Sequence, residues 1–414
     1  PSKHMKHILP LILLGAFFYS APIFAQQVDE PGPHAVGWRD ISFRDSHYGR
    51  GRVEGRIYYP AVSHGENQVA DPSQGPFPLT GFMHGYIEPA SDYDELCTHI
   101  ASWGFVVMSN DTETGLLFVS MQSEAKDTRA LMQWVEDQSQ SSSSWLDGMT
   151  DNHPWSASGH SMGGGALSYL VNYESRVRTI VMLEPYQGSL LGGSSNGFNA
   201  FQSYDGNALI IGADEDLTNN YNSVVRPWFE QADNSRRRVW ALLHGGDHFG
   251  STDADIHALW GFGSLDGDEQ HLAHRRLVLG FLLAEIKGEQ NCYYDFTQTQ
   301  HISLEGDTKA PPLWSFIDPS NSAQLILGSF GTPAWRLRIA GSMSTGSLNT
   351  IYGELGLDQS SMQIARDHVL GSSGWDEINV PIQPSWSGLT LYFQALSNHG
   401  TNGALSEITE VTIP

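Results

Sequence analysis

Lysine is scarce in this sequence of 414 residues, and beyond residue 25 it occurs only as Lys126, Lys287 and Lys309. Lysine and arginine together number 22, against 46 aspartate and glutamate residues, which gives a formal net charge of −24 with histidine neutral. A surface this acidic repels nucleic acid and anionic membranes. Neither is therefore expected as a partner.

Long apolar runs are absent beyond residue 25, so no later segment is expected to cross a membrane. The apolar run at residues 8–19 follows Lys3 and Lys6 and is too short for a spanning helix. This pattern predicts a secretory signal peptide over residues 1–25, with residues 1–4 as an expression-vector remnant. The protein is therefore expected to be secreted, with no membrane partner after cleavage.

Cysteine is also rare, with only Cys97 and Cys292 in the chain. In an exported protein the two can form one disulfide. The alternative, which the sequence leaves open, is a pair of separate buried thiols.

Glycine, by contrast, is concentrated in the stretch SASGHSMGGGALSYL, residues 156–170. Each glycine inside a helix costs about 1 kcal/mol relative to alanine, so helix stability does not explain three in a row. The segment GHSMG fits G-x-S-x-G, in which a strand turns sharply into a helix and presents a serine nucleophile. We predict that Ser161 is this nucleophile. The alternative is a glycine-rich turn that only packs.

Two regions of different pattern divide the chain. From about residue 37 to residue 287, apolar strand-like segments alternate with amphipathic helical segments, which predicts a mostly parallel, doubly wound sheet. Residues 300–414 carry short apolar runs separated by turn residues, which predicts an antiparallel β-sandwich. We expect a catalytic domain at residues 26–294, a linker at 295–312 and a β-sandwich domain at 313–414.

Acid and base candidates follow two predicted strands downstream of the serine, in the order typical of elbow-type hydrolases. NALIIGA ends in the acids Asp214, Glu215 and Asp216, and RVWALL ends in a loop with His244 and His248. Active sites lie at the carboxyl ends of parallel strands, so both loops can reach the serine. Each loop must curl back toward the serine, which favours a residue a few places past the end of its strand. This favours Asp216 and His248. Solvated turn residues are the alternative.

The segments GHSMGGG, LIIGADED and GGDHF, in this order and at these intervals, resemble the bacterial cutinase and polyester-hydrolase family. That family has the α/β-hydrolase fold and includes enzymes acting on poly(ethylene terephthalate). HGYIEP and LCTHIASWGFVVMSNDTET extend the resemblance to about residues 37–292. It implies that Ser161 is the nucleophile, Asp216 the acid and His248 the base. It also implies one loop insertion near GGSSNG, residues 192–197.

The resemblance also implies a substrate pocket. Backbone N–H groups of Met162 and Tyr86 are expected to form the oxyanion hole, because one follows the nucleophile and the other follows an earlier strand. Tyr86 and Met162 are further implied to line the acyl pocket, and Thr218 is assigned to the substrate-binding set. Tyr186 stands where relatives carry a tryptophan that stacks on aromatic substrate rings. A core aromatic is the alternative for Tyr186.

Metal binding is not predicted, although some relatives bind calcium near the catalytic loops. Asp214 matches one such ligand, but His244 stands where another carboxylate belongs, and calcium prefers oxygen. These two ligands are too few for zinc. Segments 253–255 and 266–268 resemble fragments of calcium loops without the full spacing. No metal and no cofactor is therefore expected.

The predicted function is that of a secreted, monomeric serine carboxylic-ester hydrolase acting on an ester or a polyester such as PET or cutin. The alternatives are a small-ester esterase or lipase without polymer activity, and a secreted binding or adhesion protein with an inert hydrolase domain. All candidate catalytic residues precede residue 250, so residues 300–414 are expected to be dispensable for chemistry. Their tryptophans could grip a polymer or fill a core, and we single out Trp314, Trp335, Trp375 and Trp386.

Overall fold

The computed structural model of the protein describes residues 28–188 and 195–414. The predicted signal peptide and residues 192–194 of the predicted insertion lie outside the described residues. Among the residues that are described, no helix combines the length and the apolar character that a membrane span requires.

A central sheet forms the body of the molecule, and within the described ranges it contains ten strands. In chain order these are β1 Val36–Arg44, β2 Arg52–Pro60, β3 Gly65–Glu66, β4 Leu79–Met83, β5 Val106–Asn110, β6 Trp155–His160, β7 Val177–Leu183, β8 Asn207–Ala213, β9 Arg237–Leu243 and β10 Ile302–Thr308. Their spatial order is β10-β9-β8-β7-β6-β4-β5-β2-β1-β3. In this spatial order the six strands β9, β8, β7, β6, β4 and β5 pair in parallel. Strand β2 pairs antiparallel with β5, and β10 pairs antiparallel with β9. The predicted mostly parallel sheet is confirmed.

Both faces of this sheet are buried, which explains why its central strands are apolar throughout. Along β8, Leu209 and Ile211 belong to the hydrophobic core on one face. Ala208 and Ile210, which alternate with them, belong to the core on the other face. Alternate side chains of a strand point to opposite faces, so a run without polar interruption is needed to fill two cores.

Helices cover the two faces. They are α1 Asp94–Ser102, α2 Met121–Ser139, α3 Ser161–Tyr173, α4 Ser195–Phe201, α5 Arg226–Gln231, α6 Ala254–Trp260, α7 Gly267–Ile286 and α8 Tyr293–Gln298. Two of the starts are fixed by side-chain caps, since Ser120 accepts a hydrogen bond from the Ser123 amide and Asp266 accepts one from the Asp268 amide. These caps place α2 and α7 a turn earlier than their apolar periodicity alone predicts.

The C-terminal part of the chain is rich in β-strands. They are β11 Trp314–Ile317, β12 Gln324–Phe330, β13 Arg336–Ser342, β14 Thr345–Thr350, β15 Gly353–Leu357, β16 Gln363–Val369, β17 Trp375–Pro381, β18 Thr390–His399, β19 Asn402–Leu405 and β20 Thr409–Thr412. One sheet has the order β11-β12-β17, a second has β16-β13-β18-β19 with β20 beside β18, and β14 pairs with β15. All these pairs are antiparallel.

The segment predicted as a linker, residues 295–312, differs in the structure. It completes α8 and then forms β10, which pairs with β9 over seven residues from Ile302 to Thr308. The alternating side chains of this edge strand are only half buried, so they lack the apolar run of the central strands. The central sheet therefore extends past residue 300.

The β-rich region is packed onto the part of the chain that forms the central sheet and is not merely tethered to it. In β12, Leu325 and Leu327 face a core within the β-rich region, whereas Ile326 and Phe330 join the core that lies under α7 and α8. Trp314, one of the tryptophans singled out in the sequence, is fully buried at this junction. Cys97 and Cys292 are free, buried thiols.

Candidate active site

Ser161 lies at the sharp turn between β6 and α3, with a backbone φ of +50°. A non-glycine residue in this left-handed region is strained and requires support from its surroundings. That support is close packing, because a Cβ on Gly163 would lie 2.2 Å from the carbonyl oxygen of Met83. A Cβ on Gly165 would lie 2.3 Å from the carbonyl oxygen of Tyr186. The glycines are thus required by close backbone approach.

The structure brings together the predicted serine, histidine and aspartate. His248 Nε2 lies 3.0 Å from Ser161 Oγ, and His248 Nδ1 lies 2.7 Å from Asp216 Oδ2. All three residues are buried, with relative exposures of 5–6%. Their elements are α3, the loop after β8 and the loop after β9, whose strands run in parallel and end at the same edge. This geometry allows a proton to pass from the serine to the histidine.

Backbone amides hold the aspartate in place. Asp216 Oδ1 accepts hydrogen bonds from the amides of Thr218 and Asn219, each at 2.7 Å. The Asn219 side chain in turn donates to the carbonyl oxygen of Glu184 at the end of β7. Sequence analysis did not single out Asn219. The signal for it is the turn in which an aspartate accepts from amides two and three residues ahead.

The other acid and base candidates lie apart from the serine. Asp214 accepts from the Gly245 amide at 2.6 Å and faces His244 Nδ1 at 2.9 Å. Glu215 accepts from the amide and hydroxyl of Ser264. The Asp214 bonds join the loop after β8 to the loop after β9, and the Glu215 bonds join the loop after β8 to the segment between α6 and α7, so both residues have a structural role.

The two predicted oxyanion donors lie on segments that are bonded to each other. Met162 is in the first turn of α3, where amides lack intrahelical acceptors. The Gly163 amide donates to the His84 carbonyl oxygen at 3.0 Å, which ties α3 to the loop carrying Tyr86. Met162 is buried and Tyr86 is half-buried. The structure thus keeps both segments beside the serine.

Apolar side chains are exposed near the candidate site. The Tyr86 hydroxyl donates to the carbonyl oxygen of Leu116, in a loop where Leu116, Leu117 and Phe118 are all exposed and Phe118 is 99% accessible. Leu217, next to Asp216, is also exposed, as is the predicted substrate residue Thr218. Tyr186 is half-buried, and its amide donates to the Ser161 carbonyl oxygen.

The acidic segments singled out in the sequence have other roles in the structure. Asp253 accepts a hydrogen bond from the Glu95 amide at 2.9 Å, and Asp266 caps α7. Burial raises the pKa of Asp253 to about 7, and the charges of Glu95, Asp94 and Asp255 add to this. Within residues 28–188 and 195–414, no group of three or more candidate ligands is placed to hold a metal ion.

His160 is a second residue that sequence analysis left aside, although it precedes the candidate nucleophile. It is completely buried, and its Nε2 lies 2.8 Å from the carbonyl oxygen of His248. The only sequence signal is its place inside G-x-S-x-G, where the variable position is not restricted to one residue type.

A mostly parallel sheet with a serine at a strained strand-to-helix turn, and with a histidine within hydrogen-bond reach of it, is typical of an α/β-hydrolase domain. Residues 20–261 match the PET hydrolase-like family, and the chain belongs to that family. The resemblance inferred from the sequence is confirmed.

Individual relatives are similar at a lower level. The chain is 27% identical over 195 residues to cutinase 2 of Thermobifida cellulosilytica, which covers 47% of this chain and 65% of the relative. Cutinase cut1 of Thermobifida fusca is 27% identical over 47% of this chain and 53% of its own length. A bis(hydroxyethyl) terephthalate hydrolase of Streptomyces coelicolor is 25% identical over 53% of this chain and 61% of its own length. The matched segment thus spans between half and two thirds of each of these relatives.

Proposed function

We propose that the protein is a serine carboxylic-ester hydrolase of the polyester-hydrolase type, with Ser161, His248 and Asp216 as its catalytic residues. The observation that carries the proposal is the continuous chain of hydrogen bonds from Asp216 through His248 to a serine held at positive φ. Membership of the PET hydrolase-like family supports the same reaction.

In this reaction Ser161 Oγ attacks the ester carbonyl carbon while His248 Nε2 takes its proton. The amides of Met162 and Tyr86 stabilise the negative charge on the carbonyl oxygen. His248 then protonates the leaving alcohol, and an acyl group remains on the serine. A water molecule, deprotonated by the same histidine, releases the acid and restores the hydroxyl.

Asp216 sets the tautomer of the histidine. Because the Thr218 and Asn219 amides occupy Oδ1, the other oxygen of Asp216 is directed at His248 Nδ1. An N–H at Nδ1 leaves Nε2 free to accept the serine proton. This arrangement disfavours the alternative of an inert binding protein, which has no need for an oriented base.

A polymer substrate is supported over a small ester by the apolar residues at the site. The loop with Leu116, Leu117 and Phe118 is linked to Tyr86, and Leu217 adjoins Asp216, so exposed apolar side chains lie next to the proposed oxyanion loop and next to the proposed acid. Exposed apolar patches of this kind are typical of surfaces that contact another apolar body. We propose a polyester as the substrate class, and export of the protein to reach it.

The β-rich region is proposed to be a β-sandwich of residues 313–414. Its two larger sheets share one core, to which Leu327 contributes from one sheet and Leu337, Ile339 and Phe393 contribute from the other. Two antiparallel sheets that bury a common core define this architecture.

The test is the substitution Ser161→Ala, with Ser158→Ala on the preceding strand β6 as its matched control. Ser158 is also buried, but its hydroxyl has no partner among the described residues. Ser161→Ala should lower turnover of a p-nitrophenyl ester on the order of 10⁶-fold, whereas the control should retain it. Release of soluble acid from a polyester film, measured in parallel, tests the polymer substrate. Substantial ester turnover by Ser161→Ala would overturn the assignment of the nucleophile.

A further inference from the structure

His160 lies directly behind the candidate base. Its ring centroid is 4.7 Å from that of His248, and its Nε2 is 2.8 Å from the His248 carbonyl oxygen. A carbonyl oxygen only accepts, so Nε2 of His160 carries a proton and donates it. The side chain of His160, which precedes the nucleophile, therefore forms a hydrogen bond with the main chain of His248, the proposed base.

The other ring nitrogen of His160, Nδ1, contacts a tyrosine and a carboxylate. Nδ1 lies 2.8 Å from the Tyr93 hydroxyl and 3.3 Å from Glu88 Oε2. Tyr93 also contacts Glu88 through a short hydrogen bond, and its oxygen accepts from the Gly85 amide at 2.9 Å. If Tyr93 donates to Glu88, its oxygen accepts from both Gly85 and His160 Nδ1, and the imidazole holds two protons.

The same contacts are also satisfied if a neutral Glu88 donates to Tyr93 and Tyr93 donates to a neutral His160. The surrounding charges favour the first arrangement, with a charged Glu88 and an imidazolium. The charged or titratable groups that face His160 are Glu88 and Tyr93, His248, and Glu184 at the end of β7. Burial lowers the pKa of His160, but the charges of Glu88 and Glu184 outweigh this effect and raise it. Burial likewise raises the pKa of Glu88, but the charge of His160 outweighs it and lowers that pKa.

We propose that His160 is a positioning residue, held as an imidazolium ion by Glu88 and Tyr93, that fixes the main chain of His248 relative to Ser161. The inference rests on the proposed function, because it assigns a purpose to the network only if His248 is the base. Through Tyr93 the same network holds the Gly85 amide, one residue before the predicted oxyanion donor Tyr86. Nucleophile, base and oxyanion loop are thus joined by one buried ion pair.

The charge state can be measured without any activity. At about pH 8 an ordinary histidine, with a pKa near 6.5, has one ring proton. Nuclear magnetic resonance of the protein with ¹⁵N-labelled histidine should show two ring N–H signals for His160, assigned by their loss in His160→Gln. His99 is the internal control, because it is buried and donates to the Val28 carbonyl oxygen, while burial lowers its pKa to about 4. It should show one signal. A single signal from His160 overturns the proposal.

The positioning role is tested by kinetics with a soluble ester. A displacement of about 1 Å at a catalytic group costs about 10²-fold in rate. His160→Gln and Glu88→Gln should therefore lower kcat by about 10- to 100-fold with little change in KM, whereas His99→Gln should lower Tm but leave kcat unchanged. Unchanged kcat in both network variants overturns the proposal.

Tyr93→Phe is the milder variant if the others do not fold. It removes only the hydroxyl, which accepts from the Gly85 amide, and it should lower kcat. Full wild-type kcat in this variant contradicts the proposal. Failure of the proposed function is distinguishable, because Ser161→Ala would then retain ester turnover while the His160 signals stay unchanged.

Discussion

The edge of the sheet that carries the proposed catalytic residues, called the catalytic edge below, and the junction of the sheet with the β-rich region are built from different interactions. At the catalytic edge, buried polar groups are joined by hydrogen bonds, as in the contacts of Ser161, His248 and Asp216. At the junction, aromatic rings are in contact, and Tyr293 of α8 lies 5.2 Å from Phe330 and 6.0 Å from Trp375 between ring centroids.

The difference separates what controls activity from what controls stability. Hydrogen bonds at the catalytic edge orient individual atoms, so their loss changes rate more than folding. Aromatic contacts at the junction bury large apolar areas away from the reacting atoms, so their loss changes folding more than rate. The predictions below test this division.

The largest expected effect is that of removing the β-rich region. A chain ending after residue 298 loses β10 and exposes Tyr293 and Phe296, both fully buried in the intact protein. We expect this chain to be insoluble or unfolded, as judged by circular dichroism and size-exclusion chromatography. This expectation reverses the one drawn from the sequence, in which residues 300–414 are dispensable.

A second truncation separates the two causes. A chain ending after residue 310 retains β10 but loses Trp314, Phe330 and Trp375, which cover the α8 aromatics. If it also fails to fold, the aromatic junction is the decisive element. A soluble chain of either length with full ester turnover would show that the junction is dispensable, as the sequence suggests.

The next largest effect is that of Asp216→Asn on turnover. Since His248 would lose its carboxylate partner and adopt the wrong tautomer, kcat should fall on the order of 10⁴-fold with little change in Tm. Asp214→Asn is the matched control, because Asp214 faces His244 instead. It should keep most of the activity. The opposite ranking in parallel kinetics would transfer the role of the acid to Asp214.

At the junction, Trp375→Ala should lower stability without lowering activity. Trp375 stacks on Phe330 at 4.6 Å and lies 6.0 Å from Phe296 between ring centroids. Removal of a tryptophan that is fully packed in a core costs about 3–5 kcal/mol of unfolding free energy, so removal of the half-buried Trp375 should cost somewhat less. Trp335 is also half-buried, but its ring lies near that of His399 rather than near the α8 aromatics, so it is the control and Trp335→Ala should have a smaller effect on urea unfolding. A parallel loss of kcat at low temperature would contradict the division of roles.

How much could be predicted from the sequence follows the same division. The strand-to-helix turn at Ser161 was predictable because its glycine spacing is local, and the loops with Asp216 and His248 follow strongly apolar strands. The edge strand β10 was missed because one of its faces is open, so its apolar content is low. The network of His160 joins residues 67 and 72 positions apart in the sequence, and local patterns carry no information on such pairs.

The smallest predicted effect is a pH-dependent one at the catalytic edge, where acidic residues accumulate. Asp253 has a pKa of about 7 in the folded protein because of burial and neighbouring carboxylates, against 3.8 for the ordinary value. The folded state therefore keeps a proton that the unfolded state has released, so stability falls as the pH rises from about 4 to 7.

Asp253→Asn mimics the protonated carboxyl group and keeps an oxygen that accepts from the Glu95 amide. It should raise Tm by a few degrees at about pH 8, where the wild-type carboxylate is charged, and change it little at about pH 4. The exposed Asp147 is the control, and Asp147→Asn should shift Tm by less at either pH. A stabilisation by Asp253→Asn that is equal at both pH values would show that the buried charge is not its cause. Since Asp253 lies five residues after His248, an unchanged kcat in this variant would further show that charge at this edge affects stability independently of the proposed catalytic hydrogen bonds.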